Sequence, residues 1–161
     1  MHIKERLGLS LGFTLLELII VFTVIAILST TGIASFVNYS RAQSLQSAAV
    51  KLASTLNLAK SSASSQVKPS QCSGSLNGYQ IDILSTTTYS LSVFCPEVHL
   101  IQTTTLPDNG NIKFNLDLGQ TTTISVFFPI ITSGVYGAGN IVLTGHSQAK
   151  TIKIDNEGNI K

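Results

Sequence analysis

The apolar and polar positions of this chain fall into three regimes. The first is an almost unbroken apolar block over 13–37. Its centre, 18–28, has no charged residue and only Thr23 as a polar one, and Glu17 is the one charge in the whole block. A membrane helix needs roughly 20 mostly apolar residues, so the block predicts a single membrane-spanning helix. Lys4 and Arg6 lie just ahead of it. Basic flanks stay on the cytoplasmic side, which predicts a cytoplasmic N-terminus and an extracytoplasmic remainder. A secretory signal peptide shares this basic-then-apolar plan. Its apolar stretch is shorter, however, at roughly 7–15 residues, and an acid such as Glu17 inside it opposes insertion.

In the second regime the pattern becomes helical and amphipathic. Ala42, Leu45, Ala49, Leu52, Leu56, Ala59 and Ala63 follow one another at steps of three or four, while Arg41, Lys51 and Lys60 fall off that row. Such spacing puts a narrow apolar stripe on one helix face. No proline occurs before Pro69, so one helix is predicted from Phe13 to about Gln66, about 80 Å long at 1.5 Å per residue. Gly32, beside Thr30 and Thr31, is its weakest point.

After Pro69 the period changes to two. Residues 70–78 read as a Ser/Gly/Asn loop. Tyr79, Ile81 and Ile83 alternate, as do Tyr89, Leu91 and Val93, with 85–88 as the turn of a hairpin. Ile112, Phe114, Leu116 and Leu118 form a further candidate strand, followed by Ile124, Val126 and Phe128, then Ile141 with Leu143, Ile152 with Ile154, and Ile160. Residues 129–139 read as a long surface loop. The expectation is an antiparallel sheet with the helix stripe on one face.

Composition sharpens this picture. Of 161 residues, 43% are hydrophobic but only 11% charged, against about 25% charged in an ordinary soluble domain. The surface is therefore rich in Ser, Thr, Asn and Gln. A net charge of +2 does not by itself imply a nucleic-acid partner. Cys72 and Cys95 are the only cysteines. In an exported chain an even pair predicts a disulfide, whereas in a reducing setting the two would stay free thiols.

The sequence Gly12-Phe13-Thr14-Leu15-Leu16-Glu17 stands directly before the apolar run. It resembles the prepilin signature of type IV pilins and type II secretion pseudopilins. The resemblance implies processing by a prepilin peptidase between Gly12 and Phe13, N-methylation of Phe13, and a role for Glu17 in assembly through the N-terminal amine of a neighbouring subunit. Residues 52–63 and the end Asn156-Glu157-Gly158-Asn159-Ile160-Lys161 are similar to the GspH/FimT-like minor pilin branch. Ala34 departs from the kink-forming proline of many major pilins.

The implied fold class is α+β: a long N-terminal helix, transmembrane in its first half, packed on an antiparallel β-sheet head. The implied domains are a leader at 1–12, a transmembrane segment at 13–37, an extracytoplasmic amphipathic helix at 38–68 and a β-rich head at 69–161. The partners would be other pilin or pseudopilin subunits, the peptidase and the cytoplasmic membrane, with no cofactor and no catalysis. The expected function is that of a minor pilin or pseudopilin. The alternative is a pilus-borne DNA-binding subunit, since some relatives bind DNA with basic residues near a C-terminal glycine. The candidates here are Lys150, Lys153 and Lys161, with Asp155 and Glu157 offsetting them; a solvated strand edge explains the same residues without DNA.

Two other patterns carry less. Gly145-His146-Ser147-Gln148-Ala149 nearly matches a hydrolase nucleophile elbow, but that elbow needs a strand-to-helix turn and a later histidine. His2, His99 and His146 are too scattered for metal-ligand spacing.

Overall fold

A computed structural model of the chain describes residues 13–115, 124–131 and 134–161, with the backbone alone at 30–32 and 34. The leader, Gly12, Leu116 and Leu118 lie outside the described residues. Helix α1 is assigned over Leu15–Ser64, followed by seven strands: β1 (Gly78–Ile83), β2 (Thr88–Phe94), β3 (Val98–Thr105), β4 (Lys113–Phe114), β5 (Ser125–Pro129), β6 (Gly139–Gly145) and β7 (Gln148–Ile154). The chain divides into two units, 1–39 and 40–161.

In the first unit Thr14 starts the helix. The Glu17 amide donates to Thr14 Oγ1 at 3.2 Å and the Leu18 amide to the Thr14 carbonyl at 3.2 Å. Thr14 is thus an N-cap that satisfies a donor the first turn leaves without a partner. Glu17 sits in that first turn, where a carboxylate faces the positive end of the helix dipole.

The transmembrane assignment does not hold: among the described residues, no helix is long and apolar enough to cross a membrane. Helical side chains are described continuously over 15–29 and again over 35–64. The described architecture is helix α1, with side chains described over 15–29 and 35–64, and a β-rich region.

The second unit is built around the helix stripe. Leu45, Leu52, Leu56 and Ala59 are fully buried, Ala48, Ala49 and Ala63 nearly so. They share one cluster with Tyr79, Ile81, Ile83, Tyr89, Leu91 and Val93 from the first hairpin and with Ile141, Leu143, Ile152 and Ile154 from β6 and β7. Each fully buried Leu contributes on the order of 1.5–3 kcal/mol relative to exposure.

The strands form two antiparallel sheets rather than the single sheet expected: β3-β2-β1-β5 and β4-β6-β7. Tyr89 and Phe114 join them edge to face at 6.1 Å, and the Phe114 amide donates to the Thr86 carbonyl at 2.7 Å. The alternation in β1 and β2 reads as expected: Tyr79 pairs with Val93, Ile81 with Leu91 and Ile83 with Tyr89. The 129–139 loop is shorter than expected, because Pro129 ends β5 and Tyr136 bridges to Phe127. Strand β3 is not among the strands that the alternation predicts. It is an edge strand with Val98, Leu100 and Ile101 all exposed, and Ile101 is the extra residue of a bulge between the Leu91–Gln102 and Ser92–Leu100 pairs.

The helix ends in a Schellman motif. The Gln66 amide donates to the Ala63 carbonyl at 3.1 Å and the Val67 amide to the Ser62 carbonyl at 3.0 Å, with Gln66 at φ 51°. The Tyr79 hydroxyl, whose burial pushes its pKa up, donates to the Val67 carbonyl at 2.6 Å and fastens the helix exit to β1.

Replacing Leu56 by Ala should remove about 2–5 kcal/mol of unfolding free energy, measured by denaturant titration. Gln66→Gly should add about 0.5–1 kcal/mol, because glycine reaches positive φ without a Cβ clash.

Candidate functional site

Three places in the fold carry the residues singled out by the sequence. The first is the start of the helix. Phe13 is 81% exposed, and along the helix that follows Leu15, Leu16, Ile27, Leu28 and Phe36 are each at least 65% exposed. An apolar surface of this extent marks an interaction site. Glu17 is also exposed. Thr14 was missed as a functional position in the sequence, although Thr14-Leu15-Leu16-Glu17 has the T-x-x-E spacing of a capping box.

The second is the connection from helix to sheet. Cys72 and Cys95 form a disulfide with Cα atoms 5.8 Å apart and a separation of 23 residues. It joins the loop after the helix to the residue following β2. Gly74 lies against Pro96, next in sequence to Cys95. A Cβ at Gly74 would fall 2.8 Å from Pro96 Cγ, and its φ of +105° favours glycine as well.

The third is the C-terminal loop. Asp155 organises it. Its carboxylate accepts from the Asn159 amide at 2.8 Å, the Glu157 amide at 3.0 Å and Asn159 Nδ2 at 2.9 Å. The Asn159 backbone and side-chain bonds, with the Glu157 amide and the charge of Lys161, hold the Asp155 pKa below its ordinary value. From the helix, Lys60 Nζ donates to the Glu157 carbonyl at 3.3 Å and to Asn159 Oδ1 at 3.2 Å.

Beside this loop lies an open groove of about 270 Å³, with Ala49, Ala53 and Ile152 in its lining and Lys150 and Lys161 among its walls. The structure thus brings Lys150 and Lys161 to one groove but not Lys153. Strand β7 alternates, with Ile152 and Ile154 buried and Lys153 exposed between them. The Lys153 backbone instead pairs with that of Lys161, at 2.9 and 3.0 Å.

The hydrolase-like pentapeptide is a hairpin turn. Gly145 pairs with Gln148, and His146 and Ser147 between them have φ 52° and 62°, as a two-residue type I′ turn requires. His146 Nε2 contacts the Asp108 carboxylate across the neighbouring turn. Among the described residues no group of three His, Cys, Asp or Glu side chains could hold a metal ion.

Comparison with protein-family models, with curated proteins and with solved structures finds no match to the chain.

The lowered Asp155 pKa has a direct pH consequence. Because the folded value lies below the unfolded one, its contribution to the loop is complete above the ordinary aspartate value of about 4 and is lost as pH falls through the depressed folded value. Hydrogen exchange at the Asn159 amide should therefore accelerate in that acid window. Asp155→Asn should abolish the pH step while leaving the β1–β2 amides protected.

Opening the Cys72–Cys95 bond with reductant should cost about 3 kcal/mol on the chain-entropy account. Thermal unfolding with and without reductant checks this; thiol labelling of untreated protein should find no reactive cysteine.

Proposed function

We propose that this chain is a minor pilin or pseudopilin, a structural subunit of an extracytoplasmic filament or secretion pseudopilus, acting by assembly and not by catalysis. The observation that carries the reading is the Gly12-Phe13-Thr14-Leu15-Leu16-Glu17 signature standing at the head of an apolar helix. The large side chains of that helix are exposed from Phe13 to Tyr39. Side chains so placed are stabilised only once neighbouring surfaces cover them, and parallel copies of the same helix would supply such surfaces.

On this reading a prepilin peptidase cuts between Gly12 and Phe13, and the new amine of Phe13 is methylated. The cut leaves a cation at the helix start, and Glu17 of an adjacent subunit is the acid that would neutralise it. An acid and an amine taken together out of water need each other, and the pair would set the axial register between subunits. The Cys72–Cys95 disulfide supports an oxidising, extracytoplasmic setting for the folded head.

DNA capture by Lys150, Lys153 and Lys161 is the weaker reading. Lys153 does not line the groove that Lys150 and Lys161 share, and Asp155 lies within electrostatic reach of Lys161. Binding of duplex DNA to the head that weakened steeply with added salt would favour it over the assembly reading.

The mature N-terminus, read by mass spectrometry, should begin at a methylated Phe13. A first residue near Ser35 would instead indicate a cleaved secretory signal. Glu17→Ala should leave processing intact and lower incorporation into sheared filaments; normal incorporation would remove Glu17 from the assembly mechanism.

A further inference from the structure

The chain contains two Asn-Gly pairs, Asn77-Gly78 and Asn109-Gly110. Such pairs share an intrinsic reaction. The glycine has no Cβ to hinder its backbone nitrogen as it approaches the asparagine side-chain carbonyl. The structure treats the two pairs differently.

Asn77 is held. Its Nδ2 donates to the Cys95 carbonyl at 3.4 Å, its amide to the Phe94 carbonyl at 2.8 Å, and its carbonyl accepts from Ile130 at 3.2 Å. Gly78 is paired on both sides within β1, opposite Phe94 and Pro129, and a Cβ there would lie 2.4 Å from the Phe128 carbonyl oxygen. Asn109 stands in the turn between β3 and β4, exposed, at φ 45°. Its side chain makes no hydrogen bond among the described residues, nor does the Gly110 amide. Nothing lies within 4 Å of a Cβ built on Gly110. The flanks of the turn are tied instead: the Asn111 amide donates to the Asp108 carbonyl at 2.9 Å, and the Asp108 carboxylate meets His146.

The geometry points to Asn109 as a site of self-modification, converted in the folded chain to a mixture of aspartate and isoaspartate with water as co-reactant. The Gly110 nitrogen attacks Asn109 Cγ, forming a five-membered imide. The Gly110 proton passes to solvent, and the Cγ–Nδ2 bond breaks to release ammonia. Water then adds to either imide carbonyl and breaks one of its bonds to nitrogen. One product restores the normal backbone with a carboxylate at position 109; the other routes the backbone through the side-chain carbon. No oxidant or reductant is involved. Either product places a negative charge next in sequence to Asp108, whose carboxylate meets His146.

Peptide mass mapping of the full chain, held folded at mildly alkaline pH, tests this. The peptide carrying Asn109 should gain the mass of an amide-to-acid conversion and become a substrate for an isoaspartyl methyltransferase. Conversion at Asn77 should be at least about tenfold slower, because it must wait for β1 to open. Denaturing and reducing the chain should bring the two rates together. Equal rates in the folded chain, or an Asn109 that keeps its amide under conditions where the unfolded chain reacts, would overturn the assignment.

Discussion

A helix face one row of residues wide has to close a core made by two sheets. Leu45, Leu52 and Leu56 fill the space and are fully buried, while Ala49, Ala59 and Ala63 let the backbone come close. In an interior packed to crystal density, neither set can be exchanged for the other without a void or a clash. The sheets depend on this face in turn. Tyr79, Ile81 and Ile83 on β1, and Ile152 and Ile154 on β7, are buried in the same cluster, and without the helix each sheet would present its apolar side to water.

The small size of this core explains where the remaining ties gather. A head of this length buries a limited fraction of its chain, and its connection from helix to sheet is rich in Ser and Gly, which lose much freedom on ordering. Around that connection stand the Schellman exit at Gln66, the Tyr79 hydroxyl on the Val67 carbonyl, and the Cys72–Cys95 bond. One turn back along the helix, Lys60 reaches the C-terminal loop that Asp155 organises from within. These ties restrain one end of the helix, where the apolar stripe has already narrowed to alanine.

The N-terminal unit poses the opposite problem. Thr14 caps the helix and Glu17 occupies its first turn, so the local chemistry of a helix start is satisfied. The large apolar side chains described beyond it stand exposed. Their exposure gives the assembly reading its physical motive, while the identity of the partner rests on the six-residue signature. Glu17 occupies a first-turn position, and in the proposed assembly it would also meet a neighbour's amine. A carboxylate at a helix N-terminus is favourable in an isolated chain and remains free to meet an amine when a neighbour brings one.

Much of the head was legible because its elements obey one period at a time. The stripe of Ala and Leu between 42 and 63 can only be one helix face, and Tyr79-Ile81-Ile83 against Tyr89-Leu91-Val93 can only be two strands with a common buried side. An even cysteine count in an exported chain pointed to the disulfide, and the T-x-x-E spacing makes Thr14 legible as a cap. Strand β3 was not legible, since its apolar residues Val98, Leu100 and Ile101 are exposed and its one buried residue is Thr104, which leaves no apolar alternation to read. Nor was the division into two sheets, which rests on the contacts of β4 and β6 far from them in sequence. Local pattern states which side of each element avoids water, because that depends only on residue type and backbone period. Which elements share a sheet, which lysines meet in one groove, and which of two identical Asn-Gly pairs is held depend on long-range packing, and only the tertiary structure decides them.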